Sequence, residues 1–96
     1  MLYENLGKQF AITEEQYAAV CRWVESNFLP RKTINYERHL GGIKHVFETE
    51  PGGFYVHNDV IRDALTECGY HTKQDKFGTW FLNISEKSQA VKNWLR

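Results

Sequence analysis

The sequence predicts a small α+β domain: three helices, a C-terminal β-hairpin and a short terminal helix. Three observations predict it. Apolar residues recur at helical spacing in three separate segments, within 17–28, 36–47 and 60–68. Farther on, Trp80-Phe81-Leu82-Asn83-Ile84 alternates as a strand does. Ninety-six residues, 42% of them hydrophobic, supply one modest core and leave no room for a second. The chain therefore reads as a single domain over 1–96, with an N-terminal extension over 1–12, a helical core with hairpin over 13–85 and a terminal helix over 86–96.

The first dozen residues show no clear period. Thr13 opens a helix with Gln16 as its capping-box partner, and Glu14 and Glu15 fall in the first turn, where the helix dipole favours negative charge. Tyr17, Val20, Cys21, Val24 and Phe28 form one stripe and Pro30 ends the element, so the first helix spans Glu14–Phe28. The polar, basic stretch from Pro30 to Asn35 reads as a loop. Tyr36, Leu40, Ile43 and Phe47 then share one helical face. Gly41 and Gly42 interrupt that face, and either mark the true helix start or admit another backbone at close range. Pro51-Gly52-Gly53 stops the second helix.

Phe54-Tyr55-Val56 reads as a short strand. Asn58 is placed to cap a third helix, whose apolar face is Val60, Ile61, Ala64, Leu65 and Cys68, and Gly69 is placed to end it. Strands over Tyr70–Thr72 and Thr79–Ile84 flank a polar tip, Lys73 to Gly78. Ser85 is placed to cap a last helix carrying Val91, Trp94 and Leu95. Tyr36, Leu40, Ile43, Phe47, Ile61, Leu65, Trp80 and Leu82 are expected to form one contiguous core. Phe81 faces away from Trp80 and Leu82; its expected cover is the terminal helix, through Trp94, and the alternative is exposure as a contact. Three helices and a two-stranded wing describe a winged-helix-like domain, although the candidate first strand follows the second helix where a winged helix has it before.

Composition excludes more than it assigns. Twelve Lys and Arg balance twelve Asp and Glu, so no global field draws the chain to nucleic acid or membrane, and any such binding must be local. No apolar run approaches a membrane span, and Met1-Leu2-Tyr3-Glu4-Asn5 lacks the regions of a signal peptide. Cys21 and Cys68 sit in apolar helical patterns and read as reduced, buried thiols of a cytosolic protein. The local charge is segregated. Arg31, Lys32, Arg38 and Lys44 cluster against Glu37 alone, whereas Glu48, Glu50, Asp59, Asp63 and Glu67 face only Arg62. Asp59, Asp63 and Glu67 recur every four residues and align on one ridge of the third helix. An acidic helix of this kind repels phosphate, so any DNA contact falls to Arg31, Lys32, Arg38, Lys44 and the wing residues Lys73 and Lys76. No Cys-x-x-Cys, His-Glu-x-x-His or phosphate-binding glycine loop occurs, and neither a metal, a cofactor nor a catalytic group is expected.

Four stretches of the chain carry a resemblance: Gly42-Ile43-Lys44-His45-Val46-Phe47-Glu48, Gly53-Phe54-Tyr55-Val56-His57-Asn58, Ala64-Leu65-Thr66-Glu67-Cys68-Gly69-Tyr70 and Trp80-Phe81-Leu82-Asn83-Ile84-Ser85. Here the chain resembles a family of short, uncharacterised proteins encoded by phages and mobile elements of Gram-positive bacteria. It departs from that pattern in the doubled glycine Gly52-Gly53 and in Asp59, where relatives carry glycine. The resemblance implies a bacterial host cytoplasm and a mobile-element role. Small proteins of such elements are often DNA-binding regulators, or inhibitors of host defence nucleases as anti-CRISPR proteins are. The expectation is thus a non-enzymatic protein, monomer or homodimer, that binds DNA through Arg31, Lys32, Arg38, Lys44, Lys73 and Lys76. The alternative is an inhibitor that binds a nucleic-acid-handling host protein through Asp59, Asp63 and Glu67.

Overall fold

Thr13 starts the first helix as its spacing to Gln16 requires. In the computed structural model, which describes residues 12–94, the Thr13 hydroxyl accepts from Gln16 N at 3.0 Å and Gln16 Oε1 accepts from Thr13 N at 2.9 Å. Helix α1 (Glu14–Asn27) buries Tyr17, Val20, Cys21 and Val24. The extension expected over 1–12 lies outside the described residues except for Ile12.

The segment after α1 departs from the sequence expectation. Pro30–His39 is strand β1, not a loop followed by a helix. Its one fully buried residue is the polar Asn35, and its antiparallel pairing to β3 shifts register twice. Bulges of this kind interrupt side-chain alternation, so the strand leaves no regular apolar signature. Helix α2 therefore begins later, at Leu40–Thr49, with His39 at its N-cap: the imidazole Nδ1 accepts from Gly42 N at 3.0 Å. Tyr36 consequently lies on β1, 56% exposed, and not in the core.

Phe54-Tyr55-Val56 is irregular backbone and not a strand. Val56 N donates to Glu48 Oε2 at 3.1 Å, and the Val56 side chain is buried. Helix α3 (Asn58–Glu67) is capped one residue earlier than expected, by His57, whose Nδ1 accepts from Asp59 N at 3.1 Å. Its C-terminus closes as Gly69 predicts. Gly69 has φ +97°, and Gly69 N and Tyr70 N donate to Thr66 O and Leu65 O, each at 3.0 Å.

Strands β2 (Thr72–Gln74) and β3 (Trp80–Ile84) form the hairpin, with Thr72, Lys73 and Gln74 opposite Leu82, Phe81 and Trp80. The sheet is antiparallel with order β1-β3-β2. The hairpin does not end the chain: helix α4 (Gln89–Trp94) follows and packs on α2. It starts beyond Ser85, the expected cap. The buried Ser88 hydroxyl instead accepts from Leu29 N at 2.9 Å, tying this end of the chain to the start of β1.

The described residues thus form a small α+β fold of four helices and a three-stranded sheet. Leu40, Ile43, Phe47, Ile61, Leu65 and Leu82 belong to one core cluster, whereas Trp80 is only partly buried at its margin. Cys21 is a buried thiol and Cys68 a half-buried one, both free. No helix among the described residues is long and apolar enough to cross a membrane.

Candidate nucleic-acid interface

The six basic residues singled out by sequence fall into two groups. Arg38 and Lys44 are engaged within the fold. Arg38 reaches Glu86 from Nε at 2.9 Å and from Nη2 at 2.5 Å, and its guanidinium lies 5.3 Å from the Trp94 ring centroid. These hydrogen bonds, with one from Asn35, hold the Glu86 carboxyl below the usual carboxylate range. Lys44 Nζ lies 2.9 Å from Glu48 Oε2 and 4.7 Å from the Tyr55 ring centroid. Burial pushes the Glu48 carboxyl upward, but hydrogen bonds from Lys44 and Val56 N overcome it and leave its pKa lowered.

The other four cations belong to the sheet and its tip. Arg31 is exposed and folds along its own strand, donating to Thr33 O and Ile34 O at 3.0 Å each. Lys32 on β1 and Lys73 on β2 are exposed and make no ion pair among the described residues. Lys76 sits at the hairpin tip, 5.2 Å from the Phe77 ring centroid. The tip is firmly built. Asp75 Oδ1 accepts from Phe77 N and Thr79 N at 2.9 Å each, and Phe77 is held out to solvent, 81% exposed.

The acidic ridge of α3 is less uniform than its spacing suggests. Asp59 Oδ1 lies 3.7 Å from Arg62 Nη2, and Arg62 in turn stands 4.5 Å from the Trp80 ring centroid. Asp63 is partly buried, and burial pushes its carboxyl upward. Glu67 is exposed.

One feature escaped sequence reasoning. Phe81 is covered by Tyr36, not by Trp94: the two rings lie 5.3 Å apart at 56°. Trp94 packs against Gly42 and faces His39 at 5.7 Å. The alternation of β3 does place Phe81 opposite Trp80 and Leu82. The missing signal was Tyr36, whose spacing to Leu40 imitates a helix.

Burial raises both thiols above the ordinary cysteine value. Burial, and then the neighbouring Cys68, push the Cys21 thiol up to about 11. No group of three or more His, Cys, Asp or Glu able to hold a metal occurs among the described residues. No protein-family model, curated protein or solved structure matches the chain.

Proposed function

We propose that this chain is a small DNA-binding domain of the winged-helix type that meets its ligand with the sheet and wing, not with α3. The element order α1-β1-α2-α3-β2-β3 and the sheet order β1-β3-β2 support the winged-helix reading, since β1 stands between the first two helices as that architecture has it. The observation that carries the functional reading is where unpaired positive charge is left. Among the described residues, Glu86 and Glu48 neutralise Arg38 and Lys44, whereas Arg31, Lys32, Lys73 and Lys76 make no salt bridge. Cations that no carboxylate neutralises are those that can displace counterions from phosphates. The role is that of a non-enzymatic regulator in the service of a mobile element within a bacterial host.

An α3-based inhibitor of a host nucleic-acid-handling protein is the weaker reading. Asp59 is shared with Arg62, which leaves Asp63 and Glu67, two carboxylates one turn apart, as a narrow footprint.

Fluorescence anisotropy with labelled DNA, single-stranded and duplex, tests the reading. The affinity should fall with a log–log salt slope of about −3 to −4 if four cations contact phosphates. The pair Lys73→Glu and Lys76→Glu should remove most binding, while Lys44→Gln leaves it intact. Absence of salt-dependent binding to either form would overturn the proposal.

A further inference from the structure

We infer that the outer face of the sheet is a stacking platform for the unpaired bases of single-stranded DNA, built on Tyr36 and Phe81 and flanked by Lys73. The inference rests on the DNA-binding reading above and names the form of DNA that the sheet takes.

A row of side chains crosses all three strands. Lys73 on β2 and Phe81 on β3 are direct cross-strand partners and so share a face. Tyr36 on β1 joins them through its ring contact with Phe81. Tyr36 is more than half exposed and Phe81 partly so, which leaves aromatic surface open to solvent beside a cation without an ion pair. Every base has a π-face that can lie on such rings, and the phosphates joining successive bases then pass Lys73.

This row suits a single strand and not a duplex. Bases in a duplex are already stacked and offer a protein their edges. A duplex docked on α3 would also bring its phosphates against Asp63 and Glu67. A strand laid across the sheet avoids them, because Arg62 of α3 covers Trp80, on the side of β3 opposite Phe81. The polar residue on the same face is engaged within the sheet. Asn83, the next residue on that face, donates to Arg31 O at 2.9 Å and accepts from His71 N at 2.7 Å. Its amide is therefore engaged and not free to read a 2′-hydroxyl.

The test is anisotropy of the full chain with labelled oligothymidine of about 16 nucleotides, its duplex with oligodeoxyadenosine, and oligouridine of equal length. Oligothymidine should bind most tightly. Tyr36→Leu keeps an apolar contact on Phe81 but removes a ring, and should weaken single-strand binding about 5- to 150-fold; Tyr36→Trp should preserve it. Lys73→Gln should reduce the single-strand salt slope by about 0.7. Photocrosslinking of a bromodeoxyuridine-substituted strand to the unaltered protein should map to Tyr36 or Phe81. Equal or tighter binding of duplex or oligouridine, a folded Tyr36→Leu with unchanged affinity, or a crosslink mapping elsewhere would each overturn the inference and leave the DNA-binding reading standing. No binding of any DNA form at low salt would overturn both.

Discussion

Asn35 is the polar residue around which the start of the sheet is organised. It is fully buried, and its Nδ2 donates to Ile84 O at 3.0 Å and to Glu86 Oε2 at 2.7 Å, while its Oδ1 accepts from Glu37 N at 2.9 Å. A buried amide is tolerated only when satisfied in this way. Glu86 is thus shared between Asn35 and Arg38, and its lowered pKa makes it a pH-dependent tie. The ionised carboxylate stabilises the fold in full well above about pH 4.3, the ordinary glutamate value, and that contribution is lost as the pH falls through the lower folded value. Glu86→Gln should therefore lower the melting temperature near neutrality, and the gap from the unaltered protein should close in acid. Melts of both proteins at about pH 7 and about pH 3 check the sign; a gap that widens in acid would contradict it.

At the scale of elements, the α2–α4 contact depends on a missing side chain. A Cβ on Gly42 would stand 1.9 Å from the Trp94 ring, so the glycine marks close approach of an indole, and not the helix start, which is Leu40. Gly42→Ala should displace Trp94 from α2, red-shift tryptophan emission and cost about 1–3 kcal/mol. Leu65, fully buried on α3, should cost about 2–5 kcal/mol as Leu65→Ala, measured by denaturant unfolding. An unchanged stability would show that α3 is not packed through this residue. Helices α1 and α3 were legible because their apolar residues keep one period along the element, as from Tyr17 to Phe28. β1 was not, because its buried position is an asparagine, its register shifts twice, and Tyr36 and Leu40 happen to stand one helical turn apart. Phe54-Tyr55-Val56 misled for the opposite reason: it has strand composition, but Val56 N bonds a carboxylate and no neighbouring strand. The basic residues of the site were legible as types, not as free charges, since their neutralisation by Glu48 and Glu86 is set by the fold.

Among the described residues, Lys32 and Lys73, which make no ion pair, lie on the sheet, and Asp59, Asp63 and Glu67 lie on α3. The whole molecule spans 31 × 31 × 22 Å. The Debye length is about 30 Å at 0.01 M salt and about 8 Å at 0.15 M, so α3 influences a strand on the sheet only when salt is low. The triple variant Asp59→Asn, Asp63→Asn and Glu67→Gln takes the net charge from 0 to +3. Its stability should equal or exceed that of the unaltered protein. Removing the ridge relieves like-charge repulsion at four-residue spacing, and the raised pKa of Asp63 means that its ionised form opposes folding. That penalty is complete above the raised folded value and disappears as the pH falls to about 3.9, the unfolded value, so the variant's advantage should shrink in acid. Single-strand affinity should rise in the variant at about 0.01 M salt and return to that of the unaltered protein at about 0.15 M. A gain that persists at the higher salt would place α3 in contact with the DNA, because screening leaves only charges within a few ångströms of the phosphates, and would move the binding surface from the sheet to the helix.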